Sequence, residues 1–365
     1  METVVSVQMI LIIDRYLAFR VFVGLCIATA VLLPLFSFLD LLEQLDDVGQ
    51  GTYRVKDAFV HTSLMLPRRF SQLAPFIALL GTVIALGGLA KNLELTAMQI
   101  AGISPVRLSK APLFIGIILL IFIAIVEQFI APELQQKAIS YKAAALEQST
   151  QLGKNLGIWT RNERNILRIG EMITTKKATN VEILNFDENG FLLTYTHAKH
   201  ADINDKNLWE LREVISKTFS ETEEEIESIS IDSMQWKSFV NPADISILNK
   251  SPESLSPFDL YQHVRFLKDT GQEADAYELA LWRKAGGALI TIAMLLLSIP
   301  FVFGSSRTGF ANKLVFAVMA GISVYLLDQI IANAGLLLHL SPAFTALFPG
   351  LALILVANIW LRRIR

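Results

Sequence analysis

Uncharged apolar runs punctuate the chain in two groups: 21–39, 70–90 and 111–126, then a long polar stretch, then 285–304, 314–327 and 342–361. A helix crossing the hydrocarbon core of a bilayer needs about 20 residues. Four of the runs come close to that alone, and the two shorter ones, 111–126 and 314–327, reach it by including flanking polar residues. The pattern predicts six membrane-spanning helices, three on each side of the polar stretch. Asp14 and Arg15 interrupt the opening segment, Met1 to Phe19, and no small-residue cleavage site follows it. It is therefore expected to be retained rather than removed as a signal peptide. Two placements suit it: a helix lying in the membrane interface, through Val4, Val5, Val7, Met9 to Ile13 and Leu17, or a simple extension of the first span.

Within the polar stretch the period changes to two. Val181-Glu182-Ile183-Leu184-Asn185-Phe186 alternates, Asp187-Glu188-Asn189-Gly190 supplies a turn, and Phe191 to Thr196 resumes, which is a hairpin pattern. Further strands are expected at Ile166 to Thr174, Trp209 to Ile215 and Ile226 to Ser233. Several short strands in such a stretch fit a sandwich or jelly roll. The acidic run Glu221 to Glu227 reads as a solvated loop or strand edge, and Pro242 to Pro257 as the passage back to helix. The expected organisation is 1–132, carrying the opening helix and spans one to three; 133–262, an all-β domain; and 263–365, carrying spans four to six.

Lys and Arg in short loops favour the cytoplasmic side of a membrane. Lys91, Arg107 and Lys110 lie between the second and third runs, Arg307 and Lys313 between the fourth and fifth, and Arg362, Arg363 and Arg365 at the end. With Arg15 and Arg20, they place both termini inside and the β domain outside the cytoplasm. Arg68, Arg69, Arg283 and Lys284 fall on the opposite side, against the rule.

Composition agrees with a membrane solvent. A water-soluble chain could not hide the apolar surface implied by 53% hydrophobic residues and a mean hydropathy of +0.46. A net charge of −2 and pI near 6.2 carry no nucleic-acid footprint. The single cysteine, Cys26, lies within a span, which excludes an intrachain disulfide. The sequence holds no phosphate-binding P-loop, HExxH helix, CxxC pair or GxSxG elbow. His197 and His200, three residues apart in an expected strand, should face opposite ways and so share no metal. No catalytic, metal-binding or cofactor residue is assigned in this chain, and any active transport must draw its energy from a partner.

The loop between the second and third runs offers a docking element at about 91–104. Leu95, Met98 and Gly102 recur at helical spacing, Gly102 and Pro105 can end the helix, and Glu94 stands at its start, where the helix dipole favours an anion. Two occupants suit this amphipathic helix equally: the lipid surface, or a groove in a nucleotide-binding subunit.

Several segments carry a resemblance. The stretch ELTAMQIAGIS, the opening DRYLAF, the loop GQGTY, the segment FLKDTGQEADAYELALWRK and the following PFVFG are similar, in order and spacing, to the LptF/LptG permease family of lipopolysaccharide exporters. DRY, GQG and the Asp328-Gln329 pair resemble the LptG branch more than the LptF branch. The resemblance implies a multi-pass protein of the Gram-negative inner membrane, with a periplasmic β-jelly roll between helices three and four. It also implies a heterodimer with LptF, driven by a cytoplasmic LptB dimer that holds the ATP and Mg. Such a complex extracts lipopolysaccharide from the outer leaflet and passes it through LptC and LptA. Glu94, Leu95, Met98, Gln99 and Gly102 would then form the ATPase-coupling helix, and apolar residues of the first and fifth spans would line the lipid's cavity.

On this topology Asp40, Arg68, Arg69, Glu127 and Asp328 sit near the outer ends of their spans, where ionisable residues are functional candidates. Arg68 and Arg69 are the expected lipid-phosphate contacts, ahead of Arg283 and Lys284. Asp40, Glu127 and Asp328 are expected as structural or gating charges. The alternative for the cations is a set of internal ion pairs that fixes helix packing. Family members often carry basic residues around the end of the first span, where this chain has Asp40, Asp46 and Asp47. Two rival functions remain: a mechanotransmitter that drives an external partner without moving a lipid, and an intramembrane enzyme, for which Asp328 or Glu127 would need a second catalytic group within reach.

Overall fold

The apolar runs continue into helices longer than themselves, because an i to i−4 hydrogen-bond ladder does not stop where apolar side chains give way to polar ones. The computed structural model describes residues 2–146, 157–162, 164–174, 177–203, 208–219, 227–240, 251–303 and 309–363. Helices α1 (Glu2–Leu45) and α2 (Val55–Lys91) are followed by two short ones, α3 (Glu94–Ile100) and α4 (Pro105–Leu108). The third span is α5 (Lys110–Ile125), a π-helical turn (Val126–Ile130) and α6 (Ala131–Ala145) in unbroken succession. After the strands come α7 (Pro257–Asp269), α8 (Asp275–Phe303), α9 (Phe310–Leu337) and α10 (Pro342–Arg363). Among the described residues six helices are long and apolar enough to cross a membrane, as the sequence predicts. The opening segment is continuous with the first span in one helix, α1.

The chain divides into two compact units. The first comprises 1–47, 58–138 and 278–365. Its centre is α2 and α8, whose most apolar windows are 72% and 61% buried, against 17% for α9 and 11% for the third span. Leu17, Val21 and Leu25 of α1 pack there with Ile77, Val83 and Leu86 of α2 and Leu295 and Ile299 of α8. The approach of α1 to α2 depends on small residues, since a Cβ on Gly24 would lie 2.2 Å from the Gly81 carbonyl oxygen. Backbone contact of this kind is how helices pack in lipid, where apolar burial alone gives no reason to associate. Large apolar side chains remain exposed on the other spans, among them Phe114, Ile118, Phe122 and Phe129 on the third and Phe316, Met319 and Ile330 on α9.

The second unit comprises 48–57 and 139–277. Its strands are β1 (Ile158–Asn162), β2 (Asn165–Thr174), β3 (Lys177–Phe186), β4 (Leu192–Ile203), β5 (Leu208–Thr218) and β6 (Glu227–Lys237). All are antiparallel and follow one another in chain order across one sheet. The expected hairpin is β3–β4, and β1 is a strand the alternation did not reveal. Among the described strands the order is a meander, with no crossover connection. Residues 221–226 of the acidic run and 242–250 of the Pro-rich passage lie outside the described residues.

Simple alternation fails at one line across the sheet. Asn180 and Glu213 adopt positive φ, 51° in both cases. On three adjacent strands the buried residues there step by three rather than two: Ala178 to Val181, Ala198 to Ala201, and Leu211 to Val214. These residues are in register, Val181 with Ala198 and Val214, and Ala178 with Ala201 and Leu211. The inward face therefore changes phase along a line crossing the sheet, while the strand register is the same on both sides of it. This corrects the expectation for His197 and His200, which both lie on the face away from the core, opposite Glu182 and Ile215 and opposite Thr179 and Arg212. Among the described residues no group of His, Cys, Asp or Glu is arranged to hold a metal. The core side packs Leu167, Ile169, Ile183, Ile203 and Trp209 with Val240 and with Phe266 of α7. Helix α7 begins at Ser256, whose hydroxyl accepts from the Asp259 amide at 3.1 Å, with Pro257 in its first turn.

Candidate functional site

Two places in the membrane unit gather the residues that the sequence marks. The first is α3. Leu93 enters it at φ 61° with no side-chain cap, and Gly102 leaves it at φ 86°, a conformation glycine adopts without a Cβ penalty. The helix is thus seven residues, shorter than the 91–104 element expected. Leu95 is buried, and Met98 and Ile103 pack against the core of the membrane unit. Gln99 and Gly102 are exposed, so Gly102 terminates the helix rather than extending its apolar face. Two apolar residues that sequence reasoning passed over, Leu93 and Ile100, are 68% and 83% exposed. Their signal was an apolar residue standing off the stripe defined by Leu95 and Met98.

Glu94 is tied back to the first span. Its carboxylate accepts from the Tyr16 hydroxyl at 2.7 Å and from Asn92 Nδ2 at 3.3 Å. The Tyr16 oxygen in turn accepts from Arg20 Nε at 2.9 Å, and the Arg20 guanidinium carbon lies 5.1 Å from the Tyr16 ring centre. The bond from Tyr16, then that from Asn92, holds the Glu94 carboxyl below the usual carboxylate range, so it stays ionised. Tyr16 and Arg20 belong to the segment beginning DRY, and nothing in the sequence indicated that they meet Glu94.

The second place is a set of ion pairs joining the spans. Arg69 of α2 holds Asp40 of α1 in a bidentate pair, Nε to Oδ2 and Nη2 to Oδ1, and donates from Nη1 to Gln72 Oε1 at 3.0 Å. Lys284 of α8 pairs with Glu127, which sits in the π-helical turn. Arg283, beside it on α8, reaches Asp328 of α9 at 3.1 Å and Gln329 Oε1 at 3.3 Å. Adjacent cations on one helix thereby grip the third span and the fifth. The carboxylates are 16% to 19% exposed. Charges so far from water persist only when paired. The structure thus brings Asp40, Glu127 and Asp328 each to a cation, and places Arg69 with Asp40. Arg68 is half-buried beside it.

With this geometry in view, the comparisons with known proteins fall into one pattern. The family model described as "Lipopolysaccharide export system permease LptF/LptG" matches residues 15–363. The lipopolysaccharide export system permease protein LptG of Haemophilus influenzae is 30% identical over 354 residues, covering 96% of this chain and 98% of that protein. The protein of the same name from Escherichia coli strain K12 is 27% identical over 352 residues, covering 96% and 97%.

Proposed function

Since the chain belongs to the LptF/LptG family of lipopolysaccharide export permeases and is LptG-like within it, we propose that it extracts lipopolysaccharide from the outer leaflet of the inner membrane toward a periplasmic bridge. It is a multi-pass inner-membrane protein and, as a member of this family, a non-catalytic transmembrane subunit of the export system. In our reading it pairs with LptF, an LptB dimer beneath it hydrolyses ATP with Mg, and LptC and LptA receive the lipid. Both termini face the cytoplasm, and the six-stranded sheet forms part of a periplasmic jelly roll.

The physical case for such a machine is the cargo. About 60 to 70 buried methylenes at about 0.8 kcal/mol each put the cost of drawing a multi-chain lipid into water on the order of 50 kcal/mol. Non-covalent affinity saturates near about 20 kcal/mol. The lipid must therefore pass between apolar surfaces, and the exposed apolar faces of α1 and α9 supply them within this chain. Arg68 is the proposed phosphate contact, with Arg69 divided between that role and Asp40.

The observation that carries the coupling half of the proposal is α3: Leu95 and Met98 anchor it, while Leu93, Gln99 and Ile100 stay exposed on a helix bearing an ionised glutamate. The test is copurification of the ATPase with Glu94→Lys, which exchanges an attractive charge for a repulsive one. Recovered ATPase should fall at least about tenfold while the chain still inserts. Undiminished recovery would refute α3 as the docking element.

A further inference from the structure

A helix below about 12 residues is marginal in water, so α3, with seven, must take its position from what it touches. Leu95 and Met98 fix how deep it sits, but apolar contact is non-directional and leaves a short helix free to roll and tilt. The directional tie is the chain of bonds from Arg20 to Tyr16 to Glu94, at 2.9 and 2.7 Å. It joins residues 78 positions apart, one in the first span and one at the start of α3. An ionised carboxylate has about four lone-pair sites. Tyr16 on Oε2 and Asn92 on Oε1 leave Glu94 able to accept a further donor from outside. The Tyr16 hydroxyl therefore aims this carboxylate without using it up.

We propose that Tyr16 is a positioning residue for energy coupling: its hydroxyl holds the Glu94 carboxylate and makes the tilt of α3 follow the movement of the first span. Arg20 completes the device by donating to the Tyr16 oxygen and lying against its ring, which orients the phenol proton toward Glu94. The inference rests on α3 being the docking helix, and it assigns a role to residues that do not themselves meet the ATPase. Tyr16→Phe removes the bond and keeps both the ring and the Glu94 charge, so docking should survive while transmission fails.

The experiment uses the intact complex with its ATPase in lipid nanodiscs, on a Cys26→Ser background, with a spin label at Thr96→Cys, exposed on α3 and outside the docking residues. Tyr16→Phe should leave ATPase recovery within about twofold, while the lipid released per ATP falls about tenfold, the lower bound for a hydrogen bond to a charged group. The label should become more mobile in the same variant. Arg20→Gln, on the exposed side of the device, should lower the same ratio about threefold and serves if Tyr16→Phe fails to accumulate. Wild-type coupling and label mobility in whichever variant accumulates would overturn the proposal. So would a loss of ATPase recovery in proportion to the loss of lipid release, because that marks a docking or folding contact. The Glu94→Lys arm separates the two ideas. Retained ATPase there refutes the docking reading, whereas lost ATPase there with unaltered coupling in Tyr16→Phe refutes the positioning role alone.

Discussion

Lys284→Met should destabilise the membrane unit by about 3 kcal/mol, the low end of the cost of stripping one partner from a buried ion pair. The side chains of Lys284 and Glu127 are 18% and 17% exposed, so the variant leaves a carboxylate without its cation and with little water to solvate it. The low end is appropriate because neither group is fully enclosed. The perturbation is localised, since the pair joins α8 to the π-helical turn of the third span, where the widened backbone carries Glu127. Adding Glu127→Gln removes the orphaned charge, and the double variant should recover to within about 1 kcal/mol of wild type. Unfolding in mixed detergent and SDS micelles, followed by far-ultraviolet circular dichroism, gives the double-mutant cycle. A single variant within about 0.5 kcal/mol of wild type would refute the reasoning, and so would a double variant no more stable than the single. A variant that loses bound lipopolysaccharide at unchanged stability would instead make Lys284 a ligand contact.

Arg68→Glu should reduce lipopolysaccharide loading more than subunit assembly, because it sets an anion at the half-buried position proposed to meet the lipid phosphate. A photo-crosslinking residue at position 68 reads this, and an active, intact complex with no lipid adduct would show that the arginine is structural. Single cysteines at Asn189 and Ser104, both exposed, should react oppositely with an impermeant thiol reagent in a Cys26→Ser chain. Asn189 should label from the periplasmic side, and labelling of both from one side would end the six-span topology. Gly24→Val should cost about 1 to 3 kcal/mol by forcing α1 away from the Gly81 carbonyl. An unchanged unfolding midpoint in the same detergent assay would show that the two helices do not depend on that contact.

Much of the architecture was legible in the sequence because it depends on solvent. Residues 70–90 and 285–304 are uncharged, and an unpaired charge or backbone group in lipid costs so much that such runs have few other structures open to them. The β3–β4 hairpin was equally legible, since alternation and a turn ending in Gly190 are local signals. The Glu94 helix could be placed for the same reason, although the positive φ of Leu93 and Gly102 made it shorter than its apolar spacing suggested. What tertiary structure alone decided is how distant groups meet. Whether Arg69 serves a lipid or Asp40, and which of two adjacent cations takes Glu127, depends on the rotation of each helix about its axis, which hydropathy does not encode. The phase change at Asn180 and Glu213 was hidden because neither residue type demands positive φ, so His197 and His200 were assigned faces by a period that the sheet does not keep. Tyr16 meets Glu94 only because α1 packs on α2 through Gly24 and Gly81 and carries its N-terminal half to α3. A three-dimensional contact of this sort leaves no spacing to read in one dimension.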